Sequence, residues 1–179
     1  MRKVLFILGQ LSDLDIEWLI AAGRKEQVSA GTTLIHEGKT IDTLYLVLDG
    51  ALAVSMRALG GQEVARLGAG EMVGEISFID ARPPSATVTA LQNSVVLAIP
   101  RGQLAAKLEQ DPSFAARFYR ALATFLSDRL RGTVSRLGYS DGQSLQEDVE
   151  YSDELDDNVL DNVSLAGARF ERILKRLGG

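Results

Sequence analysis

Leu67 to Ala90 reads LGAGEMVGEISFIDARPPSATVTA, and it sets three glycines, a short acidic-to-apolar stretch and two prolines before an alternating Thr-Val-Thr-Ala run. Gly68, Gly70 and Gly74 punctuate it as turns, because glycine reaches positive φ without steric cost. A short helix is expected to begin at Gly74-Glu75, where unpaired backbone N–H groups and the positive end of the helix dipole would face an anion. Working outward, Val28 to Ile99 keeps the same texture: short runs of valine, leucine, isoleucine and threonine separated by glycines at 31, 38, 50, 60 and 61 as well. Alternating segments such as Leu44-Tyr45-Leu46-Val47-Leu48 and Ala51-Leu52-Ala53-Val54 predict a small antiparallel β-roll or jelly roll. Gly60-Gly61 suits a hairpin turn.

Helical patterns flank this region. Ser12, with Asp13, Asp15 and Glu17 behind it and Ile16, Leu19 and Ile20 at helical spacing, predicts a capped helix ending at Gly23. After Pro100, Gln103 to Leu108 fits a short helix and Ser113 to Leu137 a long one. On the long helix Phe118, Leu122, Phe125, Leu126, Leu130 and Val134 form an apolar stripe, with Arg117, Arg120, Arg129, Arg131 and Arg136 on the remainder. A stripe of that length predicts a two-fold homodimer through residues 113–137. Ser164 to Leu177 repeats the amphipathic pattern. The expected class is therefore mainly β with flanking helices, one before the roll and two after it. The domain expected over 11–137 is followed by an acidic linker over 138–162 and a C-terminal amphipathic helix over 163–179.

Two sequence blocks resemble the cyclic-nucleotide-binding domain family, which includes the catabolite activator protein. AGTTLIHEGKTIDTLYLVLDGALAV (Ala30 to Val54) follows the family's order of Gly, Leu-Ile, Glu-Gly and a strand closing on Gly. The Leu67 to Ala90 block matches its phosphate-binding cassette. The resemblance implies a ligand site at Gly74, Glu75, Ile76, Ser77, Ser85, Ala86 and Thr87, with Glu75 accepting a ribose 2'-hydroxyl, Ser85 near phosphate and Thr87 near purine. It also implies an arginine about nine or ten residues beyond the glutamate, gripping the phosphate with a bidentate fork. That position holds Pro84, which has no side-chain donor and no backbone N–H. Arg82 lies two residues earlier and is the candidate to replace it, although the rigid Pro83-Pro84 step aims it elsewhere. Glu75 and Gly74 also have a plain structural use as helix cap and turn.

The implied function is a stand-alone regulatory sensor that binds cAMP, cGMP or a related small anion weakly, and that signals to a protein partner. The alternative is a degenerate relative that keeps the fold as a dimerising scaffold, its cassette empty or filled by the chain's own side chains. No cofactor or catalytic group is expected. Zero cysteines exclude disulfides, thiolate ligands and a cysteine nucleophile, and a single histidine, His36, argues against a metal-dependent enzyme on a similar barrel. With 46% hydrophobic and 24% charged residues the composition is that of an ordinary globular protein.

No apolar run reaches the length of a membrane span, so a cytoplasmic protein without membrane contact is expected. The net charge of -5 belongs to one segment: nine acids and no base lie between Ser140 and Asn162, which leaves 19 basic and 15 acidic residues elsewhere. DNA-binding relatives carry a helix-turn-helix after the long helix. Here that place is taken by carboxylates that repel a duplex, so no DNA partner is expected.

Overall fold

The computed structural model describes residues 5–139 and 157–178. Two short helices, α1 (Leu5–Gln10) and α2 (Asp13–Ala22), lead into eight strands: β1 (Arg24–Val28), β2 (Thr33–Ile35), β3 (Thr43–Asp49), β4 (Ala51–Met56), β5 (Gln62–Gly68), β6 (Met72–Val73), β7 (Thr87–Ala90) and β8 (Ser94–Pro100). Helix α3 (Glu75–Asp80) interrupts the strands between β6 and β7. Helices α4 (Arg101–Gln110), α5 (Pro112–Tyr139) and α6 (Asp157–Leu177) follow them. The β-roll with flanking helices expected from the sequence is the fold observed.

The strands form two four-stranded antiparallel sheets, ordered β1-β8-β3-β6 and β2-β7-β4-β5. Alternation along β3 and β8 explains why the first sheet is buried on both faces. Val47 and Val96 point between the sheets and pack with Ile35, Leu52, Leu67, Val73 and Val88. Leu44, Leu46, Leu48, Leu97 and Ile99 point the other way, onto Ile16 and Leu19 of α2, Leu104 of α4, and Phe114, Phe118 and Leu122 of α5. Phe114 stacks on Phe118 with ring centroids 5.6 Å apart, and Trp18 packs on Phe114 at 5.4 Å. The helical layer thus rests on one face of the roll, with α5 at its centre.

Local chemistry sets the element ends. Ser12 Oγ accepts from Asp15 N–H, and the Asp15 carboxylate accepts from Ser12 N–H in return, a reciprocal cap that fixes the start of α2. Gly60 and Gly61, both at positive φ, turn the chain between β4 and β5 after a single 3-10 turn over Arg57–Leu59.

Several boundaries differ from the sequence expectation. The roll begins at Arg24, before Val28, because the polar run Arg24-Lys25-Glu26-Gln27 is an edge strand paired with β8. Helix α1 was not expected; six residues show no periodicity, and this helix rests on α5 and α6. Helix α4 extends two residues beyond the expected 103–108 at each end. The last helix starts at Asp157 within the expected acidic linker, where early carboxylates suit the positive end of a helix. Residues 140–156 of that linker lie outside the described residues. The α5 stripe also divides: Phe118, Leu122 and Phe125 are buried within this chain, whereas Leu130 is 65% exposed. The Val134 side chain lies outside the described residues.

Candidate functional site

The cassette sits where β6 hands over to α3. Gly74 takes φ +92°, and a Cβ there would come within 2.9 Å of the Ile41 side chain and 3.2 Å of the Thr43 carbonyl. Only glycine lets the chain pass so close to β3 and still start a helix. Arg101, at the start of α4, anchors that helix from outside: its guanidinium donates to the Ser77 carbonyl at 2.8 Å and the Ile41 carbonyl at 2.9 Å, and it lies 5.6 Å from the centre of the Phe78 ring.

Glu75, the first residue of α3, is 2% exposed. Its carboxylate is met by Arg129 from α5, with Nη1 2.5 Å from Oε1. The same guanidinium donates through Nη2 to the Met72 carbonyl at 3.1 Å and lies 4.3 Å from the centre of the Phe125 ring. Burial pushes the Glu75 carboxyl above the usual glutamate range, and the Arg129 charge opposes that push. The pair therefore places a carboxylate and its counter-charge together in a mostly apolar pocket, lined also by Ile35, Val54, Ile76, Pro84, Ala86 and Val88 and by the two serines Ser77 and Ser85.

The site residues expected from the sequence divide into two groups. Gly74, Glu75, Ile76, Ser77, Ser85 and Ala86 line this one cavity together with Pro84. Arg82 and Thr87 do not. The Arg82 side chain is 83% exposed and 4.0 Å from Asp80, outside the residues that line the cavity. The cause is local: Ala81 adopts a left-handed conformation and Arg82 N–H bonds back to the Asp80 carboxylate, so the chain leaves α3 outward. Thr87 Oγ1 accepts from Glu37 N–H at 3.2 Å, and its hydroxyl serves the β2–β7 edge. Pro84 is buried, and its carbonyl accepts from Gly38 N–H at 2.8 Å. His36 is exposed, and no cluster of metal-ligating side chains occurs among the described residues.

Arg129 lines the cavity and pairs with Glu75, and it is not among the site residues expected from the sequence. The sequence sets it among the arginines of α5 outside the apolar stripe, yet it follows Leu122 by seven residues and Phe125 by four, which puts it beside that stripe. A lone charge on an apolar face was the available signal. The cavity that remains beside it measures about 70 Å³, room for a few waters and far below the ~300 Å³ or more of typical small-molecule sites. A wider groove of about 450 Å³, lined by Phe78 and Ile79 of α3, by α4 and by Tyr119 of α5, contains no buried charge among its lining residues.

With this geometry in place, residues 25–111 match the family model described as the cyclic nucleotide-binding domain. The cyclic AMP receptor protein of Thermus thermophilus is 30% identical over 123 residues, which span 68% of this chain and 55% of that protein. Among solved structures, a cyclic nucleotide-binding domain from Methylobacillus flagellatus aligns with a TM-score of 0.70 at 25% identity, covering 80% of this chain and 85% of that one. The N-terminal domain of a transcriptional regulator from Streptomyces coelicolor is 35% identical with a TM-score of 0.56, covering 69% and 86%. Enzymes also match: Lysophospholipase NTE1 of Chaetomium globosum is 28% identical over 131 residues, 72% of this chain but 8% of that protein. The chain thus spans under a tenth of such lysophospholipases.

Proposed function

The chain belongs to the cyclic nucleotide-binding domain family, and we propose that it is a regulatory module whose cassette takes a cyclic nucleotide, or a similar small cyclic phosphate, with low affinity. The observation that carries this reading is Glu75: a buried carboxylate at the first turn of α3, facing a cavity that Ser85 and Gly74 also line. A carboxylate so placed accepts a sugar hydroxyl. The phosphate would then meet the Ser85 hydroxyl and the backbone at the start of α3.

Two features hold the affinity down. Pro84 offers no donor where a charge-assisted fork would add roughly 1.5–3 kcal/mol per hydrogen bond. Glu75 is also already engaged by Arg129, so a ligand must first displace a buried ion pair and open a narrow cavity. The names of relatives support this ligand class, since the Thermus protein is called a cyclic AMP receptor. The family and fold are those of regulatory domains, and we take the output to pass through the helices to a partner protein, with a homodimer built on the distal part of α5.

Thermal denaturation with millimolar cAMP, cGMP or a cyclic dinucleotide tests this, because a ligand that binds only the native state raises the melting temperature. We expect an upward shift with a cyclic mononucleotide. The pairing of Arg129 with Glu75 favours one second reading, in which the chain's own guanidinium fills the cassette and the domain is a scaffold. Absence of any shift up to millimolar ligand would select that reading.

A further inference from the structure

We propose that α6 is a displaceable strap, held by the first turn of α2, and that the same turn ties it to the helix lining the cassette. Arg169 of α6 is nearly buried and serves three acceptors. Its Nε donates to Asp13 Oδ1 at 2.8 Å, and its Nη1 donates to the carbonyls of Leu8 at 3.0 Å and Gly9 at 3.3 Å. Those carbonyls belong to the last turn of α1, where no intrahelical partner exists. One arginine therefore closes the end of α1 and grips the start of α2. Arg172 adds a second contact to Asp13 at 3.2 Å, Arg176 meets Glu17 at 3.2 Å, and Lys25 Nζ donates to the Leu177 carbonyl at 2.6 Å.

Among the described side chains of α6, Ala166 and Ile173 lie fully within the core and Phe170 and Leu177 pack partly against it, whereas α5 contributes Phe114, Phe118, Ala121, Leu122 and Phe125 to its interior. The remaining ties of α6 are charges that keep part of their solvent, and an element attached at the rim in this way opens at lower free energy than the strands at the centre. Two residues from Asp13, Asp15 faces the other way and takes a two-pronged contact from Arg117 of α5, at 2.6 and 2.9 Å. Helix α5 then carries Arg129 onto Glu75. A shift of α5 that frees Glu75 for a ligand pulls on Asp15, and through that turn on the Asp13–Arg169 grip. The part played by ligand rests on the function proposed above, but the test below uses none, so the two ideas fail separately.

Hydrogen exchange read by mass spectrometry on the full chain decides it, comparing wild type with Arg169→Met, Asp15→Asn and Glu75→Gln. Arg169→Met is expected to speed exchange about tenfold in residues 157–177 and 5–10 while β3 and β8 keep their wild-type rates. Asp15→Asn and Glu75→Gln are expected to speed exchange in α6 severalfold, again with β3 and β8 unchanged. Should Arg169→Met fail to fold, Asp13→Asn, at a half-exposed position, replaces it with the same expectation. Wild-type exchange of α6 in the strap variant would overturn the proposal. So would acceleration of α6 and the strands together, or an α6 indifferent to both Asp15→Asn and Glu75→Gln.

Discussion

Asp15 shows how one carboxylate can serve two elements. It returns the cap of Ser12 at the start of α2 and receives the fork of Arg117 from α5. Burial pushes its carboxyl up, but the Arg117 and Ser12 hydrogen bonds outweigh that and hold it below the usual aspartate range. Breaking a buried pair costs roughly 3–5 kcal/mol; because Arg117 keeps part of its solvent, Asp15→Asn should cost about 2 kcal/mol at neutral pH. A depressed folded-state pKa contributes stability that is complete above the unfolded value of about 3.9 and is lost as pH falls through the folded value. Urea denaturation of both proteins should therefore show a gap at pH 7 that closes at the acid end, and a gap unchanged by pH would contradict this role. The two cassette charges differ in legibility. Glu75 stands in a glycine-framed motif and could be singled out from sequence, whereas Arg129 is one arginine among several on α5, marked in sequence by its register with the apolar stripe alone, and tertiary packing shows which partner it meets.

Among the elements, α3 depends most on a single backbone angle. Gly74→Ala would force a Cβ into the left-handed region, costing roughly 1–2 kcal/mol, and press it against Ile41 and the Thr43 carbonyl. We expect a total loss of about 2 kcal/mol or more, seen as a lower denaturation midpoint with the cassette helix as the first region to exchange. A midpoint equal to wild type would show that β6 and α3 yield more easily than this geometry implies. The strands and long helices were readable because period-two and period-3.6 patterns run through them. Elements α1 and β1 were not, since a six-residue helix and a five-residue polar edge strand acquire their structure from neighbours distant in sequence.

For the whole molecule, the division of the α5 stripe narrows where self-association can occur. Phe118 and Leu122 are spent on the core of this chain, whereas Leu130 of the same stripe is exposed, and we propose that a homodimer uses Leu130. Light scattering at tens of micromolar is expected to give a dimer mass, and Leu130→Asp, at an exposed position, a monomer with unchanged circular dichroism. A wild-type monomer would remove the dimer from the account.

The central claim is that the cassette keeps its sugar-binding carboxylate and that Pro84 deprives it of the phosphate clamp, and calorimetric titration of wild type and Pro84→Arg with cAMP and cGMP at one salt concentration tests it most directly. Pro84 lines the same cavity as Glu75 and Ser85, so a guanidinium grown from that position starts at the pocket wall. A restored charge-assisted contact of about 1.5–3 kcal/mol per hydrogen bond should raise affinity roughly tenfold or more, less any strain from the lost proline. The account predicts wild-type binding weaker than micromolar and a gain of about tenfold in the arginine variant. Micromolar or tighter binding by wild type, or no gain in Pro84→Arg, would contradict it.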